Sequence, residues 1–142
     1  MTYSDFIEIV EKTKKDKPIL FELESDKLAS LEDIQIFEIE TGIILPEEYK
    51  KFLSEFGGGY FGFATIYSLD KDSSFYLLDN QKYIPDNYLA ISDNGCGDVY
   101  IMKKLDGYIS SEIFFYDHET GKISDMGYEN IYEFLVSEGL RK

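Results

Sequence analysis

Leu45-Pro46-Glu47-Glu48-Tyr49-Lys50-Lys51-Phe52-Leu53-Ser54-Glu55-Phe56-Gly57-Gly58-Gly59-Tyr60-Phe61-Gly62-Phe63-Ala64-Thr65-Ile66-Tyr67 changes its hydrophobic period once. Up to Phe56 the apolar residues Tyr49, Phe52, Leu53 and Phe56 recur at helical spacing. Pro46 suits a first helical position, where its missing N–H would find no partner anyway. Gly57 and Gly58, followed by Gly59, end the helix, since glycine tolerates the left-handed conformation. From Tyr60 to Tyr67 the residues are aromatic and β-branched, which suits a strand. No Gly-Lys-Ser/Thr follows the glycines, so they form no phosphate loop.

Upstream of this switch the chain reads as helix. Tyr3, Phe6, Ile7 and Val10 mark one helix with Thr2 or Ser4 as N-cap, and lysines 12, 14 and 15 sit near its negative end. Leu31 to Thr41 forms a second, with Ser30 and Asp33 as a capping box and Gly42 as the left-handed residue after it. Downstream it reads as short strands. Tyr88–Ile91 and Asp98–Met102 flank the turn Ser92-Asp93-Asn94-Gly95-Cys96-Gly97, and Asp106-Gly107 is a hairpin turn. Ile113–Tyr116 and Lys122–Ser124 are further strands, and only Phe75–Leu78 looks regular between residues 68 and 87. Ile131, Phe134 and Leu135 define a final helix closed by Gly139. Helices before and after a block of turn-linked strands predict an α+β fold, a mainly antiparallel sheet flanked by N-terminal helices and one C-terminal helix. At 142 residues the expectation is a single domain over residues 1–142.

Charge narrows the function. The chain holds 28 acidic and 14 basic residues, net −14. Such a field repels nucleic acid and anionic membranes and attracts cationic partners. Residues 21–56 carry ten acids and three lysines, which makes this helical segment the densest in negative charge. One cysteine, Cys96, excludes an internal disulfide framework. Met1-Thr2-Tyr3-Ser4-Asp5 lacks the basic start and apolar core of a signal peptide, and no apolar run approaches the roughly 18 residues of a membrane span. The expected location is the cytoplasm.

No stretch carries a catalytic signature. Asp93-Asn94-Gly95-Cys96-Gly97-Asp98 offers oxygens to Ca²⁺ but lacks the EF-hand ligand order, so it reads as a glycine turn with Gly95 and Gly97 at its bends, or as a rim loop touching a partner. Cys96 and His118 would make a catalytic pair only if they met, and Cys96 between glycines suits a small buried side chain. One histidine and one cysteine do not complete a zinc set. No metal, cofactor or enzymatic activity is expected. The aromatic run 60–67 lacks the positive groove that base stacking requires and suits core or interface packing.

Several of these segments together resemble the SUKH superfamily, which takes part of its name from a yeast regulator of cell-wall glucan synthesis. Leu45-Pro46-Glu47-Glu48-Tyr49-Lys50-Lys51-Phe52-Leu53 with Gly57-Gly58-Gly59 is similar to its "LP-x-x-Y-x-x-F/L-L … G-G" segment. Ile34 to Gly42, with Glu38 as acidic member, resembles the preceding "I-x-x-x-E-x-x-x-G" helix. Tyr83-Ile84-Pro85 and Tyr88 to Asp98 resemble the "yip-x-x-yl-x-I-x-x-x-G-x-G-D" block, and Ile131-Tyr132-Glu133-Phe134-Leu135 resembles the closing helix. The resemblance implies a bacterial immunity protein that neutralises a cognate polymorphic toxin, such as a nuclease, by binding it. It leaves open a non-enzymatic regulatory or scaffold module acting on a cell-envelope partner. A cognate toxin is expected to be basic, and the chain itself a monomer or weak homodimer. The acids assigned to partner binding are Glu38, Glu47, Glu48, Asp93 and Asp98, with exposed Tyr or Phe as anchors. Glu32, Asp33, Glu40 and Glu55 share the helical segment as a solvated face.

Overall fold

The computed structural model describes residues 1–141. Four helices and seven strands follow in the order α1 (Tyr3–Asp16), α2 (Leu31–Thr41), α3 (Glu47–Phe56), β1 (Gly59–Phe61), β2 (Ala64–Ile66), β3 (Tyr88–Asp93), β4 (Val99–Leu105), β5 (Tyr108–Ile109), β6 (Ile113–Tyr116), β7 (Ile123–Tyr128) and α4 (Ile131–Phe134). The architecture is α+β. Every named strand pairing is antiparallel. The main sheet runs β3-β4-β6-β7, with β5 beside β6 along the same edge of β4, while β1 and β2 form a hairpin of their own. No helix among the described residues is long and apolar enough to cross a membrane.

Helix starts follow local chemistry. Thr2 and Asp5 form one capping box, and Ser30 and Asp33 a second. Each satisfies two N–H groups that the first turn cannot pair internally. Gly42 and Gly57 close α2 and α3 with φ of 71° and 85°. Pro46 stands one position earlier than its composition suggests: it is the N-cap of α3, not its first helical residue. Its extended ψ of 147° is the geometry of a cap, and its carbonyl accepts the first helical hydrogen bonds from Tyr49 and Lys50.

The core is one hydrophobic cluster that draws on the helices and both sheets. Its aromatic centre ties α1, α3, β1 and α4 together. The Phe6 ring lies 5.0 Å from Tyr132, 5.9 Å from Phe61 and 6.5 Å from Phe52. Phe52 and Phe61 meet edge to face at 5.3 Å. Such pairs add about 0.5–1.5 kcal/mol each beyond burial alone. On the main sheet, Phe134 packs on Tyr100 at 4.7 Å.

The structure corrects three further expectations. Residues 60–67 are not one strand but the β1–β2 hairpin, which turns at Gly62 with φ of 59°. A Cβ there would lie 2.0 Å from the Gly139 carbonyl oxygen. Gly139 in turn does not close the last helix. It lies inside a π-helical extension, Leu135–Leu140, and its carbonyl accepts from the Phe63 N–H at 2.8 Å. Where only Phe75–Leu78 looks regular in the sequence, a 3₁₀ turn, Leu77–Asn80, forms. The strand expected at 122–124 runs on to Tyr128 because its pairing with β6 shifts register at Ile113 and Phe114.

The outer edge of β3 is covered, which explains why Leu89 to Ser92 are all buried. Tyr67 N–H donates to the Ile91 carbonyl at 2.8 Å, and Ser92 Oγ donates to the Thr65 carbonyl. The Gln81 amide clamps both backbone groups of Ala90. These contacts satisfy an edge that would otherwise invite pairing with another chain.

Candidate functional site

The acidic helical segment divides into carboxylates that hold the fold and carboxylates that face water. Glu38 belongs to the first kind. Its Oε2 accepts from the Leu45 N–H at 2.9 Å and lies 3.0 Å from Lys50 Nζ. Its side chain is 14% exposed. Glu38 is therefore the bracket between α2 and the start of α3, and it is spent there. Burial works to lower the Lys50 ammonium pKa, and the hydrogen bonds to Glu38 and Glu47 overturn that and raise it. Glu47 remains 88% exposed despite its contact with Lys50, so it keeps a carboxylate face for solvent. Glu48 is partly buried.

The glycines after α3 serve close approach as well as helix termination. Segment 22–29, here called the strap, crosses them. A Cβ on Gly57 would sit 2.1 Å from the Asp26 carbonyl oxygen, and one on Gly59 would sit 2.8 Å from Asp26 Oδ1. On Gly58 it would lie 2.9 Å from the Ser68 Cβ. With those positions open, Asp26 N–H donates to the Gly58 carbonyl and Ala29 N–H to the Leu53 carbonyl, both at 3.0 Å. Ser68 Oγ donates to Asp26 Oδ2 at 2.6 Å and Lys27 N–H to Asp70 Oδ2 at 3.1 Å. Beneath this, the buried Tyr49 hydroxyl donates to the Tyr67 carbonyl at 2.5 Å.

The loop after β3 is held from two sides. Tyr67 OH donates to Asp93 Oδ2 at 2.8 Å, and Gly95 N–H donates to Asp93 Oδ1. Asp98 Oδ1 accepts from the His118 backbone N–H at 3.0 Å and lies 2.6 Å from His118 Nδ1. The imidazole rests where a side chain on Gly97 would be, 2.9 Å from that Cβ position. The hydrogen bond to Asp98 raises the His118 pKa, and the hydrogen bonds from His118 and Asn94 lower that of Asp98. Asp93 and Asp98 are thus loop fasteners. His118 spends Nδ1 on Asp98 and not on Cys96, and Cys96 is exposed, contrary to the expectation of a buried side chain.

Asp98, Asp117 and His118 bring three ligand atoms within 4.8 Å of one another. They are the residues that would offer themselves to a metal. Their geometry is accounted for by hydrogen bonds, since Asp117 Oδ1 already accepts from the backbone of Glu119 and Thr120.

Sequence reasoning passed over the apolar residues left outside. Leu23, Leu28, Ile36, Tyr60, Phe63 and Leu78 are all substantially exposed. Several line two depressions on either side of the strap. One, of about 280 Å³, lies between the strap, α2 and segment 69–78, with Leu28, Ile36 and Leu78 in its wall. The other, shallower and about 570 Å³, lies between the strap, the end of α3 and β1, with Leu23, Leu28 and Tyr60 in its wall. The available signal was α2 itself, whose apolar residues do not keep to one face. Tyr83 is also 95% exposed, with φ of 61°, although it belongs to a family-like motif.

An α+β domain framed by a proline-capped helix, a glycine junction and a mainly antiparallel sheet is the class these features define. The protein-family model described as SMI1-KNR4 cell-wall matches residues 31–135, and the chain belongs to that family, within the SUKH superfamily. No curated protein matches the chain.

Proposed function

We propose that the chain is an immunity protein that binds a cognate protein toxin and neutralises it by occupying it, without catalysis. The observation that carries this reading is a family frame whose motif residues are absorbed by folding, set inside an exterior of net charge −14. Glu38, Asp93 and Asp98 hold loops and helix junctions, which leaves recognition to the acidic surface. Such a surface steers a basic partner and speeds encounter, while desolvated apolar contacts supply the affinity.

Expression of the toxin encoded beside this chain should arrest growth, and co-expression of the chain should restore it. The two purified proteins should elute together as one stoichiometric complex. Separate elution, with no protection of growth, sinks the reading. The cell-wall wording of the family description favours a second reading, a non-enzymatic regulator of an envelope-synthesis protein. That reading predicts altered envelope composition on deletion in a strain that also lacks the toxin gene.

A further inference from the structure

Leu28 is half exposed and lies in the walls of both depressions, so the two form one surface divided by a single side chain. The rims are unequal in charge. Between them the linings hold seven carboxylates and three lysines. Some carboxylates have structural work, as Asp33 accepts from the Ser30 N–H at the start of α2 and Asp70 holds the strap. Glu22, Glu24, Glu40 and Asp72 are exposed and carry no ion pair among the described residues. Apolar side chains stand among these charges on both sides, Ile36 and Leu78 in one depression and Leu23 and Tyr60 in the other. Hydrogen bonds to Gly58, Leu53, Ser68 and Asp70 fix the strap in place, so little ordering is left to be lost on binding.

We infer that the strap and its two depressions are the docking face for a basic protein partner, which seats apolar side chains on both sides of Leu28 and sets Lys or Arg against Glu22, Glu24, Glu40 and Asp72. Charge complementarity selects the occupant. Exposed apolar side chains set among unpaired carboxylates match a protein segment carrying both apolar and cationic side chains, and the excess of negative charge repels a second copy of this acidic chain. The inference rests on the immunity reading and adds to it the place of contact, which is not the start of α3 where Glu47 and Glu48 stand.

The test uses the toxin encoded beside this chain, in a catalytically inactive form, titrated against the full chain by calorimetry. Leu28→Glu puts a charge on the divider, and Glu40→Lys with Asp72→Lys reverses one rim. All three positions are exposed, and circular dichroism establishes that the variants fold. Each variant should weaken binding by roughly 30- to 100-fold, the range of interface hot spots. The charge-matched Glu119→Lys/Glu129→Lys variant, outside both depressions, should bind within about threefold of the parent, as expected where steering alone is changed. Parent-like binding by both strap variants overturns the inference and leaves the immunity reading standing. So does loss of binding in Glu47→Lys/Glu48→Lys while the strap variants bind normally. A dimer of the chain that Leu28→Glu dissolves, with toxin binding unaffected, assigns the face to self-association and also overturns it. Failure of the parent chain to bind the toxin removes the immunity reading and this inference together.

Discussion

Helices α2 and α3 are neighbours in the chain and treat their apolar residues differently. In α3, Tyr49, Phe52 and Leu53 are buried along one side and the charged residues take the other. In α2, Ile34 and Phe37 are buried, while Leu31, Ile36 and Ile39 stand 72%, 42% and 83% exposed. Folding accounts for every large side chain of α3. It leaves three of α2 in water. Single exposed apolar residues are ordinary, but Ile36 shares a cavity wall with Leu28 and Leu78. The difference separates a frame, built by α3 and its glycines, from a face, built by the outer side of α2 and the strap.

Substitutions in the frame should cost stability, and substitutions in the face should not. The largest effect is expected at Gly57→Ala. The new Cβ meets the Asp26 carbonyl oxygen and φ is 85°, so about 3 kcal/mol should be lost in urea denaturation. Tyr49→Phe removes the hydroxyl that donates to the Tyr67 carbonyl from inside the core, and should cost about 1–3 kcal/mol in the same measurement. Gly42→Ala separates close approach from backbone conformation. Its φ is 71° with nothing within 4 Å, so only about 1 kcal/mol should be lost. Equal losses at Gly42 and Gly57 would break the claim that the glycine junction exists to admit the strap. Leu28→Glu, on the face, should shift stability by no more than about 0.5 kcal/mol. A larger loss would make Leu28 part of the frame.

The smallest effect concerns the Asp98–His118 fastener at the surface. Asp98's native pKa is lowered, so its contribution is complete above its ordinary 3.8 and is lost as pH falls through the lowered native value. His118's is raised, so its contribution is complete below its ordinary 6.5 and is lost as pH rises through the raised native value. The pair holds best between those two ordinary values. An NMR titration should place the His118 ring above 6.5, and Asp98→Asn should bring it down. An unchanged midpoint in that variant would remove Asp98 as the cause.

Much of the frame was legible because its rules are local. Ser30 with Asp33, Gly42 after Thr41, and the Asp106-Gly107 turn each depend on residues within a few positions. The hairpin at 59–66 was missed because Gly62 reads as an interruption of a strand until Gly139 is seen against it. The candidate site was the least legible part. Glu38, Asp93 and Asp98 looked like free acids, and each has partners that the sequence does not place beside it.

Glu38 and Glu40 show where the boundary falls. The sequence by itself determined that both lie on a helix between Ser30 and Gly42, in the most acidic stretch of a strongly acidic chain, because helix period and caps act over three or four residues. Only the tertiary structure decided that one is bound to Lys50 and the Leu45 N–H while the other stands exposed at the rim of a cavity. Whether a carboxylate serves the fold or faces a partner depends on which distant donors reach it. Those donors come from Leu45 and from Lys50 of α3 in one case and from none of the described residues in the other.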